Sequence, residues 1–135
     1  MSLEIQRRER EGIAILDLKG RITMGEEASS LRANVTALNS EGKTKIILNL
    51  AEVSYIDSTG LGALVMCATS QRKAGGDLKL LNLNRRNIEL LVMTKLATVF
   101  EFFNDEQDAV NSFFPDRKIQ SFDILTFVEK MQNEA

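Results

Sequence analysis

The sequence predicts a single α/β domain: a mixed β-sheet of four to five strands with helices packed on it, plus an extra helix at the C-terminus. Three observations predict it. Short runs rich in β-forming residues alternate along the chain with segments whose apolar residues recur at helical spacing. Such alternation needs crossover connections, and these favour helices laid over a partly parallel sheet. The strand candidates carry apolar residues on both parities, the pattern of strands covered on both faces. Finally, 135 residues at 44% hydrophobic and 27% charged suit one domain with one core.

The elements follow in order. Leu3 and Ile5 alternate with polar residues and lead to a turn over residues 9–12, which reads as an N-terminal hairpin. In residues 12–20, Ala14, Leu16 and Leu18 share one parity while Ile13 and Ile15 share the other, so this strand belongs inside the sheet. From Gly25 the period changes, and Ala28, Leu31, Val35 and Leu38 trace an amphipathic helix that stops at Gly42. Residues 45–50 read as a buried strand. A helix over 60–74, buried mainly in its N-terminal half, turns polar at residues 70–73 and ends at Gly75-Gly76. Residues 78–83 form another strand. Ile88, Leu91, Val92 and Leu96 suggest a helix leading to a short strand at 99–102. Asn104 is the expected N-cap of a helix over 105–114, closed by Pro115. Ser121 can cap a final helix in which Ile124, Phe127, Val128 and Met131 share a face. The division expected is therefore residues 1–115 as the domain and 116–135 as a helical extension, packed on it or at an interface.

Composition excludes several functions. The formal charge is −2 with both signs interspersed, which argues against a nucleic-acid partner. The apolar runs fall far short of the roughly 20 residues that cross a bilayer, so no direct membrane insertion is expected. Residues 1–10 lack the apolar stretch of a secretory signal, and the default compartment is the cytoplasm. Cys67 is the single cysteine, leaving no intrachain disulfide and no thiolate cluster; it reads as a small core residue. Histidine is absent, which removes the usual general base and the commonest transition-metal ligand. The expectation is a non-enzyme with no catalytic residue, no metal and no cofactor.

The most informative segment is Val53-Ser-Tyr-Ile-Asp-Ser-Thr-Gly-Leu-Gly-Ala-Leu64, where a strand and short connector deliver Asp57-Ser58-Thr59-Gly60 to a helix start. Two readings stand side by side. In the first, Asp57 or Ser58 is an ordinary N-cap and the glycines serve helix–sheet packing. In the second, Ser58 or Thr59 is a modifiable hydroxyl whose phosphate the helix amides and dipole would tolerate. Gly60 and Gly62 would then let another protein approach the backbone closely. The glycines do not make a P-loop, because Ala63 and Leu64 follow Gly62 where a lysine and a hydroxyl residue would be needed.

The stretch Ile47-Leu-Asn-Leu50 followed by residues 53–64 resembles the signature of the STAS family, which includes bacterial anti-sigma factor antagonists. Leu18-Lys-Gly-Arg-Ile22 is similar to that family's approach to its first helix, and Gly75-Gly-Asp-Leu78 to its later strand start. Order and spacing agree over roughly residues 5–110. The resemblance implies the STAS fold and a phosphoacceptor at Ser58, with Thr59 as the alternative. It implies partner-binding surroundings at Asp57, Thr59, Gly60, Leu61 and Gly62, with Arg21 and Met24 in the flanking turn. The implied partners are an anti-sigma factor with serine kinase activity, bound by the unphosphorylated form so that a sigma factor is released, and a phosphatase that resets the switch. A homodimer is a further expectation. Two alternatives are a STAS subunit of a transport or stressosome-like complex, and a hydrolase using Ser58 or Thr59 as nucleophile. The hydrolase is disfavoured, because without histidine only Asp57, a distant carboxylate or a lysine such as Lys45 or Lys73 could act as base. The segment after Pro115 departs from the compact family pattern.

Overall fold

The computed structural model describes residues 3–118. Nine elements follow one another: β1 (Glu4–Arg10), β2 (Ile13–Ile22), α1 (Glu26–Ser40), β3 (Lys45–Ile56), α2 (Ser58–Lys73), β4 (Asp77–Leu81), α3 (Arg85–Met93), β5 (Phe102–Phe103) and α4 (Glu106–Asn111). They build a five-stranded sheet in the order β1-β2-β3-β4-β5. The β1–β2 pair is antiparallel and the other three pairs are parallel. The hairpin turns through Glu11 and Gly12, at φ 52° and 81°. Two positive φ angles are the arrangement whose twist matches the flanking strands, and the glycine accommodates the second.

Because β2, β3 and β4 are interior strands, both parities are buried, and two cores form. On one face Leu16, Leu18, Leu48 and Leu50 meet Leu31, Val35 and Leu38 of α1, Leu61, Leu64 and Cys67 of α2, and Leu91 of α3. On the other, Ile13, Ile15, Ile47, Leu81 and Phe103 meet Ala109 and Val110 of α4. The alternating parities in residues 13–18 thus report two separate helix layers.

The structure differs from the sequence expectations in three places. β3 runs on six residues past Leu50 to Ile56. The exposed Ala51 and Glu52 interrupt its apolar pattern, but β2 continues alongside to pair Arg21 with Tyr55 and Ile22 with Ile56, through two register shifts. The short edge strand is Phe102–Phe103, not 99–102; these two phenylalanines are buried, and residues 94–99 make turns instead. The fourth helix is capped by Asp105, not Asn104, because the Asp105 carboxylate accepts the Asp108 amide at 3.0 Å, and it ends at Asn111. The expected helix over 121–131, and with it nearly all of the 116–135 extension, lies outside the described residues.

Candidate functional site

The parallel pairing carries Ile22 and Ile56 to the same end of the sheet, where β2 and β3 finish side by side. The chain then turns directly into α2. Asp57 is extended (φ −92°, ψ −179°) and caps the helix. One carboxylate oxygen accepts the Gly60 amide at 2.7 Å and the other accepts the Met24 amide at 3.0 Å, while the Asp57 amide donates to the Ile22 carbonyl at 3.2 Å. One aspartate therefore ties the β2–α1 loop to the start of α2. The amide hydrogen bond from Gly60 above all, with those from Met24 and Thr59, holds its carboxyl below the ordinary aspartate value. A carboxylate spent on backbone donors is a poor base for a neighbouring hydroxyl.

Ser58 is the first residue of α2 and, like Thr59, is exposed. The glycines divide. A Cβ on Gly60 would lie 1.9 Å from the Ile22 carbonyl oxygen, so this residue is glycine because α2 presses its first turn onto the end of β2. Gly60 is buried and Leu61 is a core residue. Both therefore belong to the surroundings of Ser58 as packing residues that support the start of α2. Among the described residues nothing lies within 4 Å of the Cβ position of Gly62, and the residue is exposed, which suits a close approach to the helix backbone. Met24, held beside the site by its amide, is 73% exposed. Arg21 is exposed at the end of β2, opposite Tyr55 in the register.

Sequence reasoning missed the other side of the site. A groove of about 350 Å³ separates the start of α2 from α3, with Ser58, Leu61 and Tyr55 on one side and Arg86, Leu90 and Met93 on the other. Asn84 caps α3, and both Asn84 and the buried Asn87 donate to the Val53 carbonyl, at 3.1 and 3.0 Å. These two amides fix α3 against β3 just upstream of Ser58. The Arg86 guanidinium lies over the Tyr55 ring, 4.6 Å from its centroid. Met93 is 81% exposed at the groove's far end. The only local signal was Asn84 as a helix cap, and it does not say which strand the helix meets. A larger cavity of about 470 Å³ lies over β1, β2 and β3 and does not include Ser58. Its Arg8, Asp17 and Asn49 are paired with one another at 2.6 and 2.8 Å. Among the described residues, no group of three or more Cys, Asp or Glu side chains is arranged to hold a metal ion.

The STAS domain model matches residues 4–109, and the chain belongs to the STAS family. Over 101 residues it is 33% identical to the anti-sigma-B factor antagonist of Bacillus subtilis (strain 168), a match covering 75% of this chain and 91% of that protein. The crystal structure of Thermotoga maritima TM1081 superposes with a TM-score of 0.74 at 25% identity, covering 81% of this chain and 93% of the other. SpoIIAA, an anti-sigma factor antagonist solved in its unphosphorylated form, shares the fold with a TM-score of 0.61 at 21% identity, covering 81% of this chain and 96% of its own. Among the described residues, no helix is long and apolar enough to cross a membrane.

Proposed function

We propose that this chain is an anti-sigma factor antagonist, a binding module switched at Ser58. Unphosphorylated, it binds an anti-sigma factor that is also a serine kinase and so frees a sigma factor; phosphorylation of Ser58 ends the binding and a phosphatase restores it. The observation that carries this reading is the exposed Ser58 hydroxyl at the first position of α2, beside a carboxylate already committed to backbone amides. Such a hydroxyl is open to a kinase but has no local base to make it a nucleophile. A phosphate there would meet the positive end of α2 within its own chain. A partner closing over Ser58, Gly62 and Met24 would have to desolvate the same dianion, so binding falls while the fold persists. The resemblance in sequence to the Bacillus subtilis antagonist, at 33% identity over most of both chains, supports the class of partner.

The test is phosphopeptide mapping after incubation with the cognate anti-sigma kinase and ATP. Modification of Ser58 is expected, with Ser58→Ala resistant and Thr59→Ala still a substrate. Modification of Thr59 with Ser58 untouched would overturn the assignment.

A further inference from the structure

Resting on the reading of Ser58 as the phosphoacceptor, we propose that Arg86 receives the phosphate: its guanidinium pairs with phosphorylated Ser58 across the groove between α2 and α3. The two side chains line the same groove. Their separation is set by the backbone, because Tyr55 precedes Ser58 by three residues and α3 is anchored through Asn84 and Asn87 to the Val53 carbonyl. The Arg86 guanidinium lies over the Tyr55 ring, its Cζ 4.6 Å from the centroid. A guanidinium carries five N–H donors, so one that contacts a ring still has donors to offer a phosphate. Among the described residues, no carboxylate pairs with Arg86.

The helix terminus does not suffice alone. The Gly60 amide already donates to Asp57, and the Asp57 amide to the Ile22 carbonyl, so the first turn has few donors left for a dianion. The acidic groups of the groove are both engaged elsewhere: Asp57 by the Gly60 and Met24 amides, and Glu89 by Arg85 at 3.4 Å. Arg86 is thus a positioning residue of the phosphorylated state, drawing the charge toward α3 and away from Met24. Arginine suits that task, since its fork matches two phosphate oxygens.

The full chain is prepared with phosphoserine installed at position 58 during translation, and the phosphate is titrated by ³¹P NMR. The second ionisation of an unperturbed phosphoserine has its midpoint near ~6. A nearby cation favours the dianion, so wild type should titrate about 0.5 pH unit or more below Arg86→Gln, with Arg86→Lys between them. Arg85→Gln removes the same charge one residue away and should leave the midpoint at the wild-type value. Equal midpoints for wild type and Arg86→Gln, or equal rises in Arg85→Gln and Arg86→Gln, would overturn the pairing. Because the phosphoserine is installed without a kinase, failure here is separable from failure of Ser58 as the kinase's target.

Discussion

Replacing Gly60 by alanine adds one methyl group at the place where the fold leaves no room for it. The new Cβ would sit 1.9 Å from the Ile22 carbonyl oxygen, 2.7 Å from its carbonyl carbon and 2.9 Å from its Cγ2. Two of these atoms are backbone, held by the β2–β3 ladder and by the Asp57 amide, so the strain is not relieved by a rotamer change. Overpacking of this kind costs about 3 kcal/mol at the upper end of its usual range. Against it stands the better helix propensity of alanine, about 1 kcal/mol. The expected net loss is therefore about 2 kcal/mol, read as a lower urea midpoint at unchanged slope. Gly62→Ala is the matched control, because among the described residues nothing lies within 4 Å of its Cβ position. Relief of unfolded-chain freedom should stabilise it by about 0.4–1 kcal/mol. Yet Gly62 faces outward beside Ser58, so the same substitution should weaken partner binding. A Gly60→Ala protein as stable as wild type would refute the packing argument for the start of α2.

Further outcomes are expected elsewhere in the molecule. Ser58→Ala should bind the anti-sigma kinase constitutively and Ser58→Asp poorly, both with wild-type melting curves; equal affinity of the two in calorimetry would remove Ser58 as the switch. Glu106 joins α4 to the β1–β2 hairpin through Arg8 and Arg10, and the Arg8 hydrogen bond leads in lowering its carboxyl from the ordinary 4.5 to about 2. With Arg8 40% exposed and screened by solvent, Glu106→Gln should cost only about 1 kcal/mol at pH 7. Because the folded value is the depressed one, that contribution is complete above pH 4.5 and disappears as pH falls toward 2, so parallel stability curves for the variant and wild type across that window would contradict it. Burial pushes the Cys67 thiol up to about 11. A thiol reagent at pH 8 should therefore leave the native protein unlabelled and modify it fully in urea, a contrast that rapid native labelling would disprove.

The turn at Glu11-Gly12, the helix from Glu26 and the place of Asp57-Ser58 at a helix start were legible because each depends on signals within a few residues of itself. Glycine placement, a small polar cap and the period of apolar residues are properties of a short segment, and here they act in the same direction. The segment 99–103 misled for the complementary reason. Val99, Phe100, Phe102 and Phe103 are all apolar, and which of them pair as a strand is decided by the edge of β4, through Leu80 and Leu81.

At the candidate site the division is sharper. The sequence by itself determined the domain class, the absence of histidine and the Asp57-Ser58-Thr59-Gly60 segment, with its hydroxyls at the start of a helix. Only the tertiary structure decided between the possible reasons for the glycines, since the clash at Gly60 is with Ile22, 38 positions earlier, and the openness at Gly62 depends on nothing packing there. It alone brought Arg86 and Met93 beside Ser58, roughly thirty residues apart in sequence, because parallel strands place their outgoing ends together and α3 is anchored on the Val53 carbonyl. Local composition can specify where a helix begins, but which strand end it faces depends on long-range pairing that no short segment encodes.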